Sequence, residues 1–154
     1  MNVLPTDNQQ HEPSTACERP PSRDVAGTVL RAARLSAGLS SSRLAALADL
    51  AEPTILAWEN GSSPLASVPV PQLQIVKDAL TSAGAQDRLL ADLDPAMWCD
   101  IIVAALAGGE DVSCLLADPL AADPAFTELL GWSSPEVPPA RYRRFTPAAG
   151  LRLP

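Results

Sequence analysis

Apolar positions recur at helical spacing from about residue 24 onward. Leu44, Leu47 and Ala48 stand at i, i+3 and i+4, the spacing of one buried helical stripe, and Ile55 and Trp58 repeat it after a break. The pattern predicts two short helices, about 41–48 and 52–59, joined by a tight turn: a helix-turn-helix unit. Upstream, Val25, Val29, Leu30, Ala33 and Ala37 share one face and predict a helix over 24–37, with Asp24 able to cap it. Downstream, a Gly/Pro/Ser-rich loop over 60–70 leads to a helix opening near Pro71, with Leu73, Val76, Lys77 and Leu80 on a repeating face, and closing at Gly84. Trp58 reads as a core residue facing the first helix, or else as an exposed stacking group.

The segment Gly38-Leu39-Ser40, Leu44-Ala45, Ala48, Leu50, Thr54-Ile55 and Glu59-x-Gly61 resembles, in register and without gaps, the Cro/C1-type (Xre-like) helix-turn-helix family of bacterial transcriptional regulators. The resemblance spans residues 25 to about 83. It implies double-stranded DNA as partner, a homodimer, and a major-groove reading helix over 52–59. It places Ser41, Glu52, Pro53, Leu56 and Ala57 toward the bases, and Arg31, Arg34, Arg43, Thr54 and Asn60 toward the backbone. The chain departs from the family in three ways. Ser41 replaces the usual Gln, Asp49 stands where the turn usually carries Gly, and Ala51 replaces the Ser or Thr that caps the reading helix. Asp tolerates the left-handed conformation such a turn needs. Losing the cap costs about 1 kcal/mol, and Pro53, suited to a first turn, softens that loss.

The reading face carries no Arg, Lys, Gln or Asn, so the common bidentate contacts to guanine and adenine are missing. Glu52 can accept from a cytosine amine, and Leu56 or Ala57 can touch a thymine methyl. Arg31 and Arg34 fall one turn apart on the polar side of the first helix, as phosphate ligands or as a solvated basic face. Over residues 23–65, Arg23, Arg31, Arg34 and Arg43 are balanced by Asp24, Asp49, Glu52 and Glu59, so phosphate neutralisation is weak. A helix-turn-helix module that contacts proteins instead of DNA is therefore the alternative reading.

Beyond Gln86 the chain turns acidic. Asp94-Pro95 reads as a cap and first-turn proline opening an apolar helix with Met97, Trp98, Ile101, Ile102, Ala105 and Leu106, ended by Gly108-Gly109. Val112, Leu115 and Leu116 suggest a short helix ended by Asp118-Pro119, and Asp123-Pro124 opens another with Phe126, Leu129, Leu130 and Trp132. Residues 85–136 thus form a helical accessory segment: a dimerisation surface anchored by Trp98 and Trp132, or an extension of the core. Residues 137–154 form a basic arm in which Arg141, Arg143 and Arg144 interleave with Tyr142 and Phe145. The arm lies on nucleic acid, or straps back onto the acidic segment.

Composition supports an all-α protein: 47% of its 154 residues are hydrophobic, only 4% aromatic. The expected division is a disordered tail over 1–23, a helix-turn-helix domain over 24–84, the accessory segment over 85–136 and the arm. The tail's prolines and polar residues cannot bury enough surface to offset chain entropy. No membrane span or signal peptide is expected, and three scattered cysteines suit a reduced cytoplasmic chain. His11, the sole histidine, lacks partner ligands, so no metal or cofactor is expected. No catalytic constellation is recognisable, so the protein is not read as an enzyme.

Overall fold

The computed structural model describes residues 24–117, 122–132 and 138–146, and every regular element among them is helical. The expected 1–23 tail lies outside the described residues. α1 (Val25–Ser36), α2 (Ser41–Leu47), α3 (Glu52–Glu59) and α4 (Val70–Ser82) follow the predicted helices within a residue or two. α5 (Asp87–Ala91), α6 (Leu93–Ala107), α7 (Ser113–Leu116) and α8 (Pro124–Trp132) make up the second half.

Local chemistry sets the helix ends. Asp24 Oδ1 accepts from Gly27 N at 2.7 Å, so the predicted cap of α1 forms, and Ser40 Oγ caps α2 by accepting from Arg43 N at 3.1 Å. Asp49 has φ 54°, the left-handed conformation expected in the turn, and lets Leu50 N reach back to Ala45 O at 2.9 Å. Ala51 starts α3 with no side-chain cap, and proline occupies the first turn. Asp94 does not cap α6. That helix opens earlier, at Leu93, and the Asp94 carboxylate takes Lys77 Nζ at 2.7 Å instead.

One hydrophobic cluster runs through both halves. Val25, Val29, Leu30 and Ala33 of α1 pack with Leu44, Ile55 and Trp58, and the same cluster continues through Leu65, Leu80, Leu89, Leu93, Cys99, Ile102, Phe126, Leu129, Trp132 and Tyr142. Leu65, on a 3₁₀ turn over Leu65–Ser67, anchors what reads in sequence as a polar loop. Trp58 is buried, as its helical spacing predicts. Trp132 is buried as well, only 1% exposed and stacked on Tyr142 with centroids 5.0 Å apart, so it is not a free dimer anchor. Trp98 is half-buried against the core. The accessory helices are therefore built into the same core as the helix-turn-helix, not hung beside it.

Two polar joints tie the halves together. Asp100, midway along the apolar α6, accepts Val25 N on Oδ1 and Ala26 N on Oδ2, both at 2.9 Å. It thereby satisfies two first-turn amides of α1 from 75 residues away. Burial pushes the Asp100 carboxyl up to about 7; the Ala26 N–H pulls it down, and the neighbouring Asp24 carboxylate raises it further. A carboxyl raised on folding stabilises the fold when protonated, so its contribution is complete below about pH 4 and is lost as pH rises through 7. The urea midpoint is expected to fall between pH 5 and 7.5, and Asp100→Asn to flatten that slope; an unchanged slope in the variant would assign the pH dependence elsewhere.

The second joint holds the C-terminal strap. The Tyr142 hydroxyl donates to Asp92 Oδ2 at 2.5 Å and Arg141 Nε donates to the same oxygen at 2.7 Å, while Arg141 Nη1 donates to Glu128. Cys99 is buried with its thiol pushed up to about 12 by desolvation, and its S–H points to Phe126 O at 3.5 Å. Such a thiol is a poor nucleophile.

Candidate nucleic-acid interface

α2 and α3 present one outer face. Leu44 and Ala45 of α2 and Ile55 and Trp58 of α3 point inward, fixing which side of each helix is left outside. On that side lie Glu52 and Pro53, both exposed, Leu56, 44% exposed, and the half-buried Ala57. Ser41 comes to the same place from the first turn of α2: its hydroxyl donates to Glu52 Oε1 at 2.6 Å. Two residues assigned toward the bases from separate helices thus form a single unit.

The backbone-facing set divides. Arg31 and Arg43 are exposed and have no ion-pair partner among the described residues. Thr54 is half-buried at the start of α3. Asn60 is exposed, and its Oδ1 accepts from Ser62 N at 2.8 Å and Ser62 Oγ at 2.5 Å, closing the turn after α3.

Arg34 does not belong to that set. It is 8% exposed, and Nε and Nη2 donate to Glu59 Oε1 and Oε2 at 2.6 and 2.8 Å, while Nη1 donates to Leu39 O at 2.8 Å. The guanidinium joins α1, the α1–α2 turn and the end of α3, and its charge is spent inside. The Glu59 carboxylate raises the Arg34 pKa by hydrogen bonding, against the opposing effect of burial. Helical spacing placed Arg34 opposite the apolar stripe, but that side of α1 is covered by Glu59, which arrives 25 residues later.

The C-terminal basic residues divide too. Arg141 is tied to Asp92 and Glu128, so it belongs to a strap and not to a free arm. Arg143 and Arg144 are exposed; Arg143 Nε donates to Pro138 O at 3.3 Å, and the Arg144 guanidinium stacks over Phe145 at 4.5 Å.

Two features were not read from the sequence. An open groove of about 670 Å³ lies between α2 and α4, lined by Leu39, Arg43, Leu47, Ile75, Asp78 and Ala79 among others. Leu47 and Ile75 are about half exposed there. The other is Asp100, whose only sequence signal was a charge midway along an apolar helix.

Among the described residues no group of three or more His, Cys, Asp or Glu side chains is arranged to hold a metal ion, and no helix is long and apolar enough to cross a membrane. No protein-family model, curated protein or solved structure matches the chain.

Proposed function

We propose that this chain is a cytoplasmic, sequence-specific DNA-binding transcriptional regulator of the Cro/C1 (Xre-like) type, non-enzymatic and acting as a homodimer. The observation that carries this reading is the pair of helices α2 and α3 joined through a left-handed Asp49, with Glu52, Pro53 and Leu56 outward and the unpaired Arg31 and Arg43 on the adjoining helices. A helix so presented enters the major groove by its N-terminal residues while its neighbours meet phosphate.

With Arg34 withdrawn into the core, each subunit offers few cations, and affinity rests on a small number of phosphates. For four contacts per dimer, from Arg31 and Arg43, binding to a random duplex is expected to fall with a log–log salt slope of about −3.6. Arg43→Ala is expected to make that slope shallower by about 2. Fluorescence polarisation across a salt titration reads both values. A slope indifferent to Arg43→Ala would remove that residue from the interface.

A protein-interaction module is the second reading, favoured by the α2–α4 groove with its half-exposed Leu47 and Ile75 beside a charge-balanced helix-turn-helix. Absence of duplex binding even at low salt would favour it.

A further inference from the structure

Glu52 opens α3 at the position that meets base edges first in a groove-bound helix, and it is not a loose surface carboxylate. Ser41 donates to its Oε1 at 2.6 Å across the turn, which fixes the carboxylate's direction and takes one oxygen. No hydrogen bond or ion pair is made to Oε2 among the described residues, so that oxygen remains available as an acceptor. Pro53 beside it has no N–H to donate, and Leu56 one turn on offers only hydrocarbon. The face therefore presents one oriented acceptor in an apolar surround, with no side-chain donor on it besides the Ser41 hydroxyl, already spent on Glu52.

Only two bases show an amino donor in the major groove, cytosine through N4 and adenine through N6. Adenine places its N7 acceptor beside the amine, and a carboxylate cannot donate to it. Guanine presents O6 and N7, both acceptors, which a carboxylate repels. Resting on the proposed DNA-binding function, we infer that the Ser41–Glu52 pair is the specificity determinant of the site and restricts one base pair of each half-site to cytosine. Glu52 accepts from cytosine N4, and Ser41 acts as a positioning residue that holds the acceptor in place.

Selection of full-length protein on a library of randomised duplexes tests this, with Glu52→Gln and Ser41→Ala run in parallel. Both changes are on the surface, and circular dichroism checks that each variant stays helical. The wild type is expected to enrich a cytosine at one position of each half-site, by about 5- to 100-fold over the other bases. Glu52→Gln is expected to move that preference toward adenine, whose N6 and N7 a carboxamide matches together. Ser41→Ala is expected to keep cytosine but weaken the preference several-fold. A preference unchanged in Glu52→Gln overturns the inference while leaving DNA binding intact. Failure of folded wild-type protein to bind any duplex at low salt overturns the DNA-binding reading itself.

Discussion

Replacing Arg34 with alanine is expected to cost the fold about 3 kcal/mol or more, measured as a lower urea midpoint at an unchanged slope. Arg34 and Glu59 are nearly fully buried along their side chains, at 9% and 5% exposure, and they pair through two parallel hydrogen bonds. Removing the cation leaves the Glu59 carboxylate uncompensated, and breaking a buried pair on one side costs about 3–5 kcal/mol. The Leu39 carbonyl loses its donor at the same time. Arg34→Lys should recover only part of the loss, since one ammonium cannot reproduce the planar fork. The pair sits behind α3, so under the proposed function any loss of DNA affinity should come through unfolding and disappear when the measurement is made well below the melting temperature. A stability loss below 1 kcal/mol would show that the bridge is not desolvated as described.

The second large effect is expected at Gly27, from a methyl group. A Cβ there would lie 2.3 Å from Trp58 O and 3.0 Å from Glu59 O, both backbone atoms. The first turn of α1 crosses the last turn of α3 with nothing between them, and no side-chain rotation can relieve the clash. Gly27→Ala must push the helices apart, opening the packing around Trp58 and lengthening the Arg34–Glu59 bridge. Overpacking of this kind costs about 1–3 kcal/mol, occasionally more, and the gain in helix propensity of about 1 kcal/mol returns only part of it. A thermal melt showing Gly27→Ala as stable as the wild type would mean that this helix crossing is wider than described. Gly84, whose added Cβ meets nothing within 4 Å, is a control for space but not for conformation, since its φ is 85°.

These sites separate what could be read along the chain from what could not. The caps at Asp24 and Ser40 and the left-handed turn at Asp49 depend on residues within a few positions of each other, and sequence carries them directly. The inward set of Leu44, Ile55 and Trp58 follows from spacing alone. Arg34 was misplaced because helical spacing names the side opposite a stripe without saying what will cover that side. The Asp94-Pro95 pair carried a cap signature, but α6 starts ahead of it and Lys77 takes the carboxylate. Arg141 and Tyr142 suited either nucleic acid or a strap onto the acidic segment; the strap forms, but that Asp92, about 50 residues upstream, would be its anchor was not legible. The Ser41–Glu52 contact lay between two residues assigned individually, and only the angle set by Asp49 brings them together. In each case the unread partner is distant in sequence or delivered by a turn.

The carboxylate of Asp100 has a consequence for the order in which the protein can be made. α1 is translated early, but two of its first amides receive their acceptors from α6, 75 residues later. At ordinary elongation rates of about 5–20 residues per second, that part of the chain follows several seconds behind. A nascent chain stalled before residue 100 holds the whole α2–α3 pair while the start of α1 lacks its partner and the apolar residues that α6 should cover face solvent. The start of α1 is therefore completed only when the second half has arrived, and a fusion that borrows residues 24–84 alone inherits an unfinished helix.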